Sequence, residues 1–337
     1  MASNRIAFIG IDPISASIAF ALQEREPSLE LIGYDANQAV ADLAKVRGAF
    51  DKVRRKPGAT CEGAGLIIIA QPLADIENTF AEIAPHLEEG SIVTDTAHLK
   101  RPVLRWAEDI LPDYVSYLGG HIVPNPAVVG LKALEGLDDA SPKLLKEALY
   151  CLTMSPSTPT DAVDVCLWLA QVIEANPFFI DVKEHDGLLA GVEGLPDLLT
   201  VALLRSTVDS PGWKEMRKFA GRRFAAATET VDDVSGRHPS LFLNRENVIH
   251  RLDALIGELV YLRDMLVKDD EEALSQVVDE AADGRARWMM ERGKGMWADE
   301  SAFDADGVPG AGEQLKTALF GNLISRFGRE PGKPEEE

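Results

Sequence analysis

A doubly wound α/β sheet followed by a bundle of helices is the fold class this sequence predicts, and three observations carry it. Residues 4–22, NRIAFIGIDPISASIAFAL, pass from an apolar run (Ile6, Ala7, Phe8, Ile9) through Gly10 to apolar residues at helical spacing, Ile14, Ile18, Ala19 and Leu22. Short apolar runs and amphipathic stretches then alternate to Gly119. From Asp161 onward the chain reads as helical. Strand, tight turn and helix in that order open a dinucleotide-binding sheet, with cofactor phosphates at the turn, where helix-start amides favour an anion.

The elements follow in order. Leu29–Asp35 reads as a strand and Gln38–Arg47 as a helix. Leu66–Ala70, LIIIA, is continuously apolar, as a strand covered on both faces requires. Gln71 and Pro72 end it, and Ile76–Leu87 supplies a helix. Ser91–Thr94 is a strand, Val103–Ile110 a helix, and Val115–Leu118 a strand running into Gly119, Gly120 and His121. The loops after Ile9, Tyr34, Ala70, Thr94 and Leu118 are expected to share one ligand-binding rim. Residues 122–145 are loop-rich, and Ala148–Met154 is a last strand. Helices are expected over Glu184–Leu204, Asn247–Val267 and Glu271–Arg292. The second places Ile249, Leu252, Ile256, Leu259 and Leu266 on one face, which suggests a homodimer interface. Residues 1–155 are thus assigned to the nucleotide-binding domain and 156–296 to a helical substrate and dimerisation domain. Residues 297–337 are read as a linker, an amphipathic helix (Leu315–Phe327) and a disordered tail.

At the first turn the fingerprint G-x-G-x-x-G becomes Gly10, Asp12, Ser15. Gly10 makes the bend. Asp12 puts a side chain and a negative charge where bare backbone would approach a diphosphate, and Ser15 is small enough for close packing. Gly10, Asp12, Ile14 and Ser15, with Gln71 and Pro72 on the same rim, are the candidate cofactor residues. Asp35 lies 25 residues past Gly10, where an acid accepts ribose hydroxyls. Such an acid favours NAD and repels the extra phosphate of NADP.

The formal net charge of −21 argues against nucleic acid or an anionic membrane as partner. No uninterrupted apolar run approaches the ~20 residues of a membrane span. Cys61, Cys151 and Cys166 are scattered, with no metal-ligand spacing, and read as reduced thiols of a cytoplasmic protein.

The ordered set GYD (33–35), TDTAHLK (94–100), GGH (119–121), EHD (184–186) and LPDLL (195–199) resembles the prephenate/arogenate dehydrogenase family of tyrosine biosynthesis. The resemblance covers about residues 1–290. It implies a Rossmann-like domain with a helical dimerisation domain, and NAD-dependent oxidative decarboxylation of a cyclohexadienol. His121 matches the histidine that contacts the substrate hydroxyl, and is the candidate base.

The departures concern charge. His98 stands where the family carries a serine that orients that histidine. It serves as a polar partner, as a second base, or as a surface residue. Lys100 holds a substrate carboxylate or pairs with Asp95. Where the family reads S-H-L-P-H, this chain has Glu193, Gly194, Leu195, Pro196 and Asp197. The family's carboxylate-gripping arginine falls on Glu229, which leaves Arg205, Arg222, Arg223 and Arg245 as replacements, Arg222 and Arg223 lying next to that segment. Glu193 and Asp197 would suit the ammonium of arogenate. The alternative is a family member that kept the fold without the activity, acting as a small-molecule-binding or regulatory dimer.

Overall fold

The computed structural model describes residues 4–130, 133–134 and 136–294. The expected linker, the helix at 315–327 and the tail lie outside the described residues. The chain divides into two compact units, His98–Pro102 with Asp181–Ala286 forming the second and most of the remainder the first.

The first unit is built on eight strands: β1 (Arg5–Ile9), β2 (Glu30–Tyr34), β3 (Lys52–Val53), β4 (Leu66–Ile69), β5 (Ile92–Asp95), β6 (Ser116–Val123), β7 (Leu149–Thr153) and β8 (Asn176–Phe179). Their order is β3-β2-β1-β4-β5-β6-β7-β8, and every neighbouring pair is parallel except the antiparallel β6 and β7. The helices of this part are α1 (Pro13–Arg25), α2 (Gln38–Val46), α3 (Pro57–Cys61), α4 (Leu73–Ile83), α5 (Arg101–Ile110), α6 (Pro126–Val129) and α7 (Thr160–Val172).

β4 buries all four of its residues, as a strand covered on both faces must. Each such Leu or Ile contributes about 1.5–3 kcal/mol over leaving it exposed. The strand order reverses between β1 and β4, so the crevice beyond their carboxyl ends is the ligand-binding position of such sheets.

Three readings of the sequence are corrected here. β3 and α3 were not foreseen; two residues of strand and five of helix are too short to carry a period. The GGH segment is strand rather than loop, because β6 continues past its pairing with β5 (Ile92↔Ser116 to Thr94↔Leu118) into an antiparallel pairing with β7 that includes His121↔Cys151. The chain is not purely helical after Asp161. Asn-Pro-Phe-Phe at 176–179 adds β8 beside β7, so the first unit runs to Ile180 rather than 155.

In the second unit, α8 (Val182–Leu189), a π-helical turn (Ala190–Gly194) and α9 (Leu195–Val208) form one continuous helical run. Pro196 has no N–H for the carbonyl four residues back, and the preceding turn widens so that the Leu195 amide reaches Ala190 O. There follow α10 (Trp213–Met216), α11 (Arg222–Thr228), α12 (Val231–Leu243), α13 (Arg245–Val267) and α14 (Glu271–Lys294). Val182–Val208 reaches the length and hydropathy of a membrane span (mean hydropathy 1.6), although Glu193 and Asp197 interrupt it. Ile249, Ile256, Leu259 and Leu266 on α13 are exposed in the single chain.

Candidate functional site

The turn between β1 and α1 fixes its own geometry. Gly10 has φ +95°, and a Cβ there would lie 2.3 Å from the Ala70 carbonyl oxygen, so this position requires glycine. Pro13 follows at the first helical position, where a missing N–H costs nothing. Asp12 is the N-cap of α1: its Oδ1 accepts from the Ser15 amide at 2.7 Å, and the Ser15 hydroxyl accepts from the Asp12 amide at 2.9 Å. The two bonds form a reciprocal capping box. Burial pushes the Asp12 carboxyl above its ordinary value, opposed by the amide bonds from Ser15 and Ile14.

Asp35, at the end of β2, accepts from the Ile11 amide at 2.8 Å and from the Asn37 amide at 2.7 Å, one bond on each oxygen. A carboxylate oxygen has two acceptor sites, so both retain capacity for a hydroxyl. Ile14 is half-buried in the first turn of α1, and Ser15 is fully buried. Gln71 is half-buried and accepts from the Thr79 hydroxyl, while Pro72 is exposed. Gly10, Asp35 and Gln71 thus fit a nucleotide at the rim. The turn amides do not fit a diphosphate as they stand, because the chain's own oxygens hold them.

His121 is half-exposed on the part of β6 that outruns β5. Buried Asp95 braces this extension: its carboxylate accepts from the Ala97 amide at 2.8 Å, the Tyr117 hydroxyl at 2.5 Å and the Gly120 amide at 3.4 Å. Gly120 is needed because a Cβ there would meet the Asp95 carbonyl at 2.5 Å and the Tyr150 ring at 2.8 Å. Sequence reading assigned Asp95 no bracing role and did not name Tyr117; a tyrosine two residues after a strand's start carries no local signal for it.

In the second unit, buried Asp186 accepts from the Lys100 and Arg101 amides, both at 2.9 Å, and lies 3.0 Å from His185 Nδ1. His185 is itself buried. Asn244, just before α13, makes no side-chain cap for it; its side-chain amide donates to the Asp186 carbonyl at 2.8 Å. His98 Nε2 pairs with the Ser240 hydroxyl at 2.9 Å. These two residues line a cavity with Glu193, Gly194, Asp197 and Asn244. Lys100 is fully buried and is not among the lining residues. Arg222, Arg223 and Arg245 are exposed and do not line it either, so the cavity's charged lining is acidic with one histidine. Ser240 and Asn244 had no sequence signal as lining, because they are more than 140 residues from His98.

A family model described as "Prephenate dehydrogenase, nucleotide-binding domain" matches residues 18–176, and one described as "Prephenate dehydrogenase, dimerization domain" matches residues 181–280. The first match begins past the turn at residues 10–15. Prephenate dehydrogenase of Bacillus subtilis is 25% identical over 84% of this chain and 75% of its own length. Cyclohexadienyl dehydrogenase of Zymomonas mobilis is 24% identical over 84% of this chain and 95% of its own. Among solved structures, prephenate dehydrogenase of Aquifex aeolicus, in complex with hydroxyphenyl propionate and NAD+, superposes with a TM-score of 0.73 at 18% identity, covering 85% of this chain and 99% of that one. Arogenate dehydrogenase of Synechocystis gives 0.69 at 21% identity over 84% and 99%.

Proposed function

The chain belongs to the prephenate dehydrogenase family, and we propose that it carries out oxidative decarboxylation of prephenate or arogenate in tyrosine biosynthesis, with His121 as base. The observation that carries this reading is the placement of His121. It sits on a strand extension held by Asp95 and Gly120, beyond the carboxyl end of β5, where doubly wound sheets bind ligands. Histidine is the side chain whose ordinary pKa lies nearest working pH, which suits it to take the substrate hydroxyl proton. A nicotinamide dinucleotide would supply the hydride acceptor, and formation of an aromatic ring supplies much of the driving force. What the chain must do is orient the ring, accept that proton and hold the substrate's charged ends.

Asp35 supports NAD over NADP, since a second negative group beside this carboxylate would be repelled. Glu193 and Asp197 around the cavity support a substrate with an ammonium, which favours arogenate over the doubly anionic prephenate. The exposed arginines of α11 and α13, Arg222, Arg223 and Arg245, are left to steer or hold the remaining carboxylate, and buried Lys100 is a further candidate. The matched dimerisation domain and the exposed apolar residues of α13 support a homodimer. Three buried free cysteines support a reducing, cytoplasmic setting.

His121→Asn tests the reading. Turnover should fall about 10²–10⁴-fold with an unchanged melting temperature. Wild-type turnover in a folded variant removes His121 from the chemistry.

A further inference from the structure

We infer that the Asp12 carboxylate is a resident competitor for the dinucleotide diphosphate: it holds the Ser15 amide at the start of α1 and has to leave it before a dinucleotide can be seated. The inference rests on the proposed use of a dinucleotide, and it concerns how this chain admits one.

The Gly10 amide donates to the Tyr34 carbonyl at 2.8 Å. The Ile11 amide donates to Asp35, and the Asp12 amide to the Ser15 hydroxyl. Pro13 has no N–H. The Ser15 amide donates to the Asp12 carboxylate. The Ile11, Asp12 and Ser15 amides, which a diphosphate would use at this helix start, are thus engaged by oxygens of the chain itself.

Glycine at position 12 would leave the Ser15 amide unmet and the approach open. Aspartate supplies an anion of the same sign as the ligand, tethered and already in place. The first turn of α1 offers no cation to offset it, because the helix's one basic residue, Arg25, is in the last turn. The competition acts on the diphosphate alone. Asp35 keeps free acceptor sites, so a ligand that carries the adenosine but no phosphate is indifferent to residue 12.

Calorimetric titration of the full chain with NAD and, separately, with adenosine tests this in wild type, Asp12→Asn and Asp12→Gly. Asparagine keeps the cap and removes the charge; glycine removes both and is itself tolerated at a helix N-cap. NAD should bind about tenfold more tightly to Asp12→Asn and tighter still to Asp12→Gly, with adenosine the same in all three to within about twofold. Equal melting temperatures establish that the variants are folded. If NAD binds wild type as tightly as both variants, the competitor is refuted while the dehydrogenase reading stands. If adenosine tightens in step with NAD, the effect is not on the diphosphate and the inference is again refuted. If no form binds NAD, the use of a dinucleotide falls and the competitor falls with it, and the architecture serves another end.

Discussion

The turn at residues 10–15 and the cavity around residues 193–197 have each received acids, and the acids do opposite things. Asp12 stands just before a helix, where the first backbone amides lack partners within the helix, and it turns inward to bond that of Ser15. Glu193 and Asp197 lie inside the continuous helical run Val182–Val208, whose amides are already spent on the chain's own carbonyls, and they line a cavity. A carboxylate at a helix start finds an unpaired amide to bond, and one in a helix interior finds those amides already taken. The residue type is the same; the supply of unpaired N–H groups decides.

The largest effect should come from the turn's rigidity. Gly10→Ala forces a Cβ against the Ala70 carbonyl at positive φ, and denaturant unfolding should show a loss of about 2–4 kcal/mol. A loss below about 1 kcal/mol would mean the turn yields, and that Asp12 is not held in a fixed seat.

The cavity is probed by charge. Replacing Glu193 with Gln together with Asp197 with Asn should lower kcat/KM for arogenate about 10–100-fold and leave that for prephenate equal or higher. An equal fall for both substrates would deny these acids a part in ammonium recognition.

Truncating single acids sets the two regions side by side. Asp12→Ala should cost about 1 kcal/mol through the lost cap, and Glu193→Ala about 0.5 kcal/mol or less. Comparable losses would erase the distinction drawn between a helix start and a helix interior.

The smallest effect is in pH dependence. The Asp12 carboxyl is raised above 3.8 in the folded chain by burial, so the fold binds this proton more readily than the unfolded chain does. Its contribution is fully present below that ordinary value and is lost as pH rises through the raised one. The stability difference between wild type and Asp12→Asn should therefore shift against wild type as pH increases across that window. A difference that is flat with pH would show that the carboxyl is not buried in solution.

Much of the first unit was legible because its signals are local. The short apolar run at 66–70, ended by Pro72, reads as a strand covered on both faces, and Gly10 between a continuous apolar run and one of period 3.6 reads as a turn. Apart from β3 and α3, the order of strands and helices to β6 followed from the same signals, as did the long helices α13 and α14. The resemblance carried by GYD, GGH and EHD brought the family within reach because those motifs are contiguous in sequence.

What the chain could not announce is which distant groups meet. Asn-Pro-Phe-Phe at 176–179 becomes a strand because β7 offers it a ladder, and this moves the end of the first unit to Ile180. His121 lies on a strand rather than a loop because β7 returns antiparallel beside it. His98 finds Ser240, and Asp186 finds the amides of Lys100 and Arg101, across separations that no window of sequence spans. Periodicity and turn chemistry are properties of neighbours along the chain, so the sequence alone determined the longer elements and their order. Hydrogen-bond partners and the use of each charged group depend on what long-range packing brings alongside, so the tertiary structure alone decided the state of the phosphate turn and the lining of the cavity.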